Sequence, residues 1–242
     1  MGCPMSKKIE DWLLARNSKA RYWRVIMLGL DGSGKTSINA KLDRDIEKVS
    51  GPTRGFTVAD MEFDDLSKLN VWEVGGEKEL RSSWDFYFSN SEALVFVVDS
   101  SDYNRVNEAK DTLDGVLQHQ YFESQRDLPV VVIANKQDDE DSMSASEILY
   151  KLEVSVVSAK RPWIVTGAVA KTGECVHIAF KLLHSVLSRD MVELLPSMDK
   201  SGALGYKSSA DKNLITNIAN LTKVYEDLKQ HHARLNFLDE RV

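Results

Sequence analysis

Apolar and polar positions along this chain change in blocks. Short apolar runs, several rich in β-branched residues, recur at Trp23–Leu28, Thr57–Phe63, Leu69–Val74, Ala93–Asp99, Pro129–Ala134 and Pro162–Thr166. Ala93-Leu94-Val95-Phe96-Val97-Val98 is apolar without a break, the pattern of a strand covered on both faces. Between these runs lie stretches with helical spacing: Lys35–Leu42, Leu80–Phe88, Arg105–Gln118, Ala145–Lys151 and Glu174–Arg189. Strands alternating with helices predict an α/β fold: a mostly parallel six-stranded sheet with helices on both faces. Only Asp64–Lys68 joins the second and third runs. That is too short for a crossover helix, so the two form an antiparallel hairpin that leaves one antiparallel strand at the sheet edge.

Past this body the pattern changes. Pro196–Asp211 scatters Ser, Gly and Lys and reads as a linker. Beyond it Leu214, Ile218, Leu221, Tyr225, Leu228, His232 and Leu235 alternate steps of four and three, a heptad seam. Two readings fit: an amphipathic helix folded back on the body, or a coiled coil over 212–238 that dimerises or binds a partner helix. The expected organisation is an N-terminal amphipathic segment at 1–21, the α/β body at 22–190, and a linker with a C-terminal helical extension at 191–242.

Composition sharpens this only in part. The 242 residues are 43% hydrophobic and 28% charged, suited to a sizeable core, and the net charge is -6. An acidic chain of this kind is not a bulk nucleic-acid binder, and no nucleic acid is expected as partner. The charge is uneven, however. Lys7, Lys8, Arg16, Lys19, Arg21 and Arg24 against Glu10 and Asp11 make the first 24 residues +4, leaving -10 for the rest. Two cysteines, Cys3 and Cys175, cannot build a disulfide framework. No apolar run approaches the ~20 residues of a membrane span, so any membrane contact is peripheral.

The chemistry starts at Gly29-Leu30-Asp31-Gly32-Ser33-Gly34-Lys35-Thr36, followed by Ser37. This is a phosphate loop, G-x-x-x-x-G-K-[ST], after a predicted strand and opening a predicted helix. Backbone amides curl around phosphate, Lys35 reaches the β- and γ-phosphates, and the Thr36 hydroxyl binds Mg²⁺. Asn135-Lys136-Gln137-Asp138 ends the strand at Pro129–Ala134 and selects the base. A carboxylate at Asp138 accepts from both N1–H and the 2-amino group of guanine, and adenine offers no matching pair of donors. An ATP-using kinase fails on this motif.

With these residues in view the chain resembles the Arf and Arf-like small GTPases over about residues 1–190. GLDGSGKT at 29–36, PTRGF at 52–56, WEVGGEKELR at 72–81, FVVDSSD at 96–102, RVNEAK at 105–110 and NKQD at 135–138 carry the resemblance. It implies a P-loop NTPase G domain binding GTP or GDP with Mg²⁺. It makes Thr53 the switch I threonine on the metal and Gly76 the switch II glycine whose N–H meets the γ-phosphate. Thr166-Gly167-Ala168 takes the place of the family's T-C-A guanine loop. Phe56, Trp72 and Tyr87 fall where the family carries its aromatic effector surface, although such residues also suit a core. The hairpin Thr57–Val74 matches the interswitch, which shifts register between nucleotide states. Partners of the Arf type follow: effectors, an exchange factor and an activating protein.

Two residues depart from the family's W-D-x-G-G-Q. Glu73 replaces an aspartate that holds a metal-bound water; it keeps the charge but adds a methylene, and weakened or reshaped metal binding, not its loss, is expected because octahedral Mg²⁺ tolerates little displacement. Glu77 replaces the glutamine that orients the attacking water, and an ionised carboxylate only accepts hydrogen bonds. Very slow intrinsic hydrolysis is the expectation. The competing readings make Glu77 a general base or an outward-turned surface charge.

Met1-Gly2-Cys3-Pro4-Met5-Ser6 fits the N-myristoylation pattern at Gly2, with Cys3 a palmitoylation candidate. One acyl chain holds a membrane only marginally, and Cys3 or the basic head would add the second signal. Ile9, Trp12, Leu13 and Arg16 share a helical face, similar to the family's N-terminal amphipathic helix; the bland reading packs that helix permanently in a groove of the body. Taken together, the residues and the resemblance predict a switch at the cytoplasmic face of a membrane. A faint resemblance to the C-terminally extended ciliary branch, whose members also lack the switch II glutamine, suggests a ciliary location, with Golgi as the other. The second reading is a GTP-bound scaffold or exchange-factor-like regulator that hardly hydrolyses.

Overall fold

The computed structural model describes residues 21–43, 53, 55–63, 67–153 and 161–188. The predicted N-terminal helix and C-terminal extension lie outside them. Six strands form one sheet in the order β2-β3-β1-β4-β5-β6. They are β1 (Tyr22–Leu28), β2 (Phe56–Glu62), β3 (Lys68–Val74), β4 (Ala93–Asp99), β5 (Val130–Asn135) and β6 (Trp163–Ala168). Only β2 is antiparallel, paired with β3 from Phe56 opposite Val74 to Glu62 opposite Lys68. The sheet is therefore the predicted one, with its antiparallel strand at the edge.

Helices cover both faces. On one side α1 (Lys35–Leu42) and α5 (Val176–Ser188) pack over Val25, Met27, Val95 and Val97. On the other, α2 (Val106–Gln118), α3 (Gln120–Ser124) and α4 (Ala145–Lys151) cover Ile26, Leu28, Leu94 and Phe96. The period-two alternation within β1 and β4 thus divides two apolar layers, and the unbroken run at Ala93–Val98 is fully buried, as a central strand requires. Ser144 and Glu147 close a capping box at the start of α4.

Four elements differ from the sequence prediction, one of them β6, which runs on past Thr166 to Ala168. The stretch expected as a helix at Leu80–Phe88 is a 3-10 turn over Arg81–Tyr87. The Trp84 indole N–H donates to the Gly75 carbonyl at 2.8 Å, and the Ser82 hydroxyl donates to the Glu79 carbonyl, so side chains compete with regular helical pairing. Helix α5 begins at Val176 rather than Glu174, because Cys175 sits at φ 59 and Val169 bridges Glu174 just before it. The five-residue α3 was too short to show a helical period; His119 caps it by accepting from the Tyr121 amide.

Candidate functional site

The phosphate loop leaves the end of β1 and feeds α1, so the carboxyl ends of the parallel strands and one helix N-terminus converge there. A cavity of about 430 Å³ opens at this point, lined by Asp31, Gly32, Gly34, Lys35, Thr36, Ser37, Thr53, Glu73, Gly76 and Glu77. Residues from the loop, from switch I and from switch II, from Asp31 to Glu77 in sequence, thus share one wall.

Two glycines are dictated by close approach. Gly34 has φ 93, and a Cβ there would lie 2.2 Å from the Asn135 side-chain nitrogen. A Cβ on Gly76 would meet the Gly29 carbonyl at 2.3 Å and the Lys35 ammonium at 2.6 Å. The two carbonyls of the Gly75-Gly76 pair are both held. Gly75 accepts from Trp84, and Gly76 accepts from the Arg81 side chain at 2.9 Å and from the Asp31 amide at 3.2 Å. A trans peptide points its N–H opposite to its carbonyl, so the Gly76 N–H is turned away from Trp84.

Lys35 is buried, and its ammonium donates to the Gly29 carbonyl at 2.9 Å and the Leu30 carbonyl at 2.8 Å. Burial lowers its pKa to about 8, against the opposing pull of Glu73 and Asp31. Bound phosphate would add negative charge and raise that value, so above pH 8 binding must take up a proton. Nucleotide affinity is therefore expected to fall as pH rises from 7 to 8.8, approaching a tenfold loss per pH unit above 8. Calorimetry in two buffers of different ionisation enthalpy checks it: a flat affinity without proton uptake would contradict the assignment.

The candidate metal ligands come together. Thr36 and Thr53 hydroxyl oxygens lie 3.0 Å apart, and both donate to Glu73 Oε1, at 2.5 and 3.2 Å. The other oxygen, Oε2, accepts from Thr57 at 2.7 Å, and Thr57 in turn accepts from the Asn39 amide at 2.9 Å. Glu73 is 1% exposed. Hard oxygens of this kind suit Mg²⁺, which takes one or two protein carboxylates or hydroxyls together with phosphate oxygens and water. Thr57 and Asn39 were not singled out from the sequence; neither belongs to a motif.

Glu77 is partly exposed and lines the cavity instead of turning out as a surface charge. An ionic cluster joins Asp31 of the phosphate loop to residues for which the sequence predicts no role. Arg81 pairs with Glu108 at 2.6 Å and Asp31 at 3.4 Å, and Arg105 pairs with Asp31 at 3.1 Å and Asp102 at 2.6 Å. The Arg105 hydrogen bond holds the Asp102 carboxyl below the usual carboxylate range. These residues sit inside the quoted motifs, so only their pairing was hidden.

The base-selecting residues stand at the ends of β5 and β6, beyond the wall of that cavity. Asn135 is buried; its amide donates to the Ser33 carbonyl at 2.7 Å and its oxygen accepts from the Ala170 amide at 2.9 Å. It is a strut between strands and phosphate loop. Lys136, at φ 67, anchors its ammonium on Asp99 at 2.5 Å. Asp138 is exposed in the turn that follows. Gly167 and Ala168 belong to β6 itself, opposite Ala134 and Asn135. A side chain at Gly167 would meet Gln137 at 3.0 Å, so Gln137 fills space next to the position where the family carries cysteine.

On the outer face of the hairpin, Phe56 stacks on Trp72 with centroids 4.8 Å apart and leans on Tyr87 at 5.5 Å. Arg24 lies over the Trp72 ring at 3.8 Å. Phe56 is 47% exposed and the neighbouring Phe86 80%, so this cluster is a surface and not core.

A family model, that of the ADP-ribosylation factor family, matches residues 9–187. The chain belongs to this family. It is 36% identical to ADP-ribosylation factor-like protein 2 of Arabidopsis thaliana over 156 residues, covering 64% of this chain and 82% of that protein. The structure of the Arl6 BBS3 small GTPase from Trypanosoma brucei, with a bound GppNp analogue, superposes with a TM-score of 0.62 at 30% identity, covering 69% of this chain and 98% of that one. The body is thus an Arf-family GTP-binding switch domain, a fold that binds GTP or GDP and generally Mg²⁺.

Proposed function

We propose that the chain is a membrane-associated Arf-like switch whose GTP form recruits effectors and whose intrinsic hydrolysis is very slow. The observation that carries this reading is the meeting of Thr53, Glu73, Gly76 and Glu77 with Lys35 and Thr36 around one cavity. Switch residues pinned to the phosphate loop are what a γ-phosphate would stabilise. Thr36, Thr53 and Glu73 would hold Mg²⁺, which when bound neutralises charge between the β- and γ-phosphates. Lys35 and the Gly76 N–H would hold the γ-phosphate, while Asp138, Lys136 and the Ala168 amide would meet the guanine. Phe56, Trp72 and Tyr87 offer the exposed aromatic surface an effector would cover.

Membrane attachment rests on Gly2, Cys3 and the basic residues Lys7, Lys8, Arg16 and Lys19, all outside the described residues. Among the described residues no helix is long and apolar enough to cross a membrane, so the proposal is a peripheral anchor at the cytoplasmic face of a ciliary or Golgi membrane. An exchange factor and an activating protein of the Arf type complete the cycle. The seam at 212–238, also outside the described residues, would dimerise, bind a partner helix or fold back.

A second reading, a GTP-bound scaffold or exchange-factor-like regulator of another small GTPase, is favoured by one observation: Glu77 lines the cavity where a glutamine would orient water. The nucleotide retained by the purified full-length chain, read by chromatography, separates the two. GDP with exchange and slow turnover is expected. Retained GTP with no turnover, even with an Arf-type activating protein, would favour the scaffold, and absence of any guanine nucleotide would overturn both.

A further inference from the structure

Glu73 is one methylene longer than the family's aspartate, and the hydrogen bonds around it show where that length goes. Oε1 and the hydroxyls of Thr36 and Thr53 form a triangle with edges of 2.5, 3.0 and 3.2 Å. Neighbouring ligands of an octahedral ion bound at 2.0–2.1 Å lie about 2.9 Å apart. The three edges bracket that spacing, so shifts of a few tenths of an ångström would set the three oxygens on one face of a Mg²⁺ octahedron. A carboxylate that acts through an intervening water must instead stand back from the metal by the size of that water. Glu73 has little freedom to retreat. It is 1% exposed, and its second oxygen is held by Thr57 at 2.7 Å. Thr57 is held by Asn39, which is fully buried.

Building on the nucleotide-switch reading, we propose that Glu73 is a direct ligand of the divalent cation, its Oε1 occupying the place of a water in the coordination shell. Thr57 and Asn39 are positioning residues that turn this oxygen toward the two hydroxyls. A carboxylate in the shell brings a full negative charge to the metal and removes one exchangeable water. Metal affinity in this chain then depends on the length of the side chain at position 73 as well as on its charge.

The test uses the full-length chain loaded with GppNp and Mn²⁺ in place of Mg²⁺, made with glutamate labelled with ¹³C at the δ-carbon. Electron–nuclear double resonance should show a strong ¹³C coupling, the signature of a carboxylate bonded to the ion. The same preparation of Glu73→Asp, which has no labelled carbon at that position, should lose it. Metal titration of the nucleotide complex should show Mg²⁺ binding weakened at least tenfold in Glu73→Asp. Thr57→Val should weaken it about tenfold, and Thr57→Ser should restore it. A bound Mn²⁺ with no strong ¹³C coupling in the wild type would overturn direct ligation and leave the switch reading standing. A coupling that survives in Glu73→Asp would assign it to another glutamate, with the same consequence for the proposal. If the chain takes up neither GppNp nor Mn²⁺, the switch reading falls and this inference with it. The wild-type spectrum decides even if a variant fails to fold.

Discussion

Glu77→Gln is expected to speed single-turnover hydrolysis of bound GTP about tenfold to a hundredfold, a barrier lower by roughly 1.4–2.8 kcal/mol. Glu77 lines the cavity beside Gly76 and Lys35, where the γ-phosphate would sit. Two unit negative charges ~5 Å apart repel by about 3 kcal/mol at an effective dielectric constant near 20. Solvent reduces this because Glu77 is partly exposed, which is why the lower end of the range is included. The amide also restores a donor, so water can be held by one accepted and one donated hydrogen bond. Quenched-flow or filter assays of preloaded protein measure the rate, with nucleotide affinity as the control. If the wild type is as fast as the variant, and its rate climbs with pH, Glu77 works as a general base and the slow-hydrolysis reading is wrong.

Asp138→Asn is expected to lower GTP affinity about 100-fold to 1000-fold and to raise affinity for xanthosine triphosphate. Two hydrogen bonds to a charged acceptor, each contributing about 1.5–3 kcal/mol, would be lost or reversed, since the carboxamide nitrogen faces donors on guanine. Xanthine presents a carbonyl in place of the 2-amino group and matches the amide. Asp138 has no stabilising partner among the described residues whose loss would confuse the result, and it is exposed in its turn. Competition binding with the two nucleotides reads the switch directly. Unchanged preference for GTP would remove Asp138 from the base site.

These two residues were legible for different reasons. Asp138 lies in a four-residue motif at the end of an apolar run, and the physics of that place is local: the strand ends, the chain turns, and the carboxyl ends of parallel strands are where ligands bind in such sheets. Glu77 was visible as a departure from a motif. Its orientation was not, because an outward-turned surface charge and a cavity-facing carboxylate carry the same residue in the same motif. The structure places Glu77 in the cavity lining, and slow hydrolysis and general-base chemistry are left to the rate measurement.

Other parts of the site had no local signal. Asn39 and Thr57 reach Glu73 from 34 and 16 positions away, and nothing in their own neighbourhoods marks them. Asn135 was read for its motif, yet its side chain spans to Ser33, 102 residues back. The expected helix at Leu80–Phe88 became a 3-10 turn for a similar reason: a long-range bond from Trp84 to Gly75 outweighs a weak local preference.

By itself, the sequence determined the strands, the order in which helices intervene, the phosphate loop and the guanine motif. Each follows from side-chain periodicity or from residue types at fixed short spacing, which act within one element. Tertiary structure alone decided which carboxylate oxygen faces which hydroxyl, which arginines meet Asp31, and that Phe56, itself exposed, stacks on Trp72 and leans on Tyr87. The Glu73 contacts and the aromatic stack depend on the pairing of β3 with β1 and β2, which sets Glu73 opposite Thr57 and Trp72 beneath Arg24. Strand register is a property of the whole sheet, and it places side chains to within an ångström that no short stretch of sequence encodes.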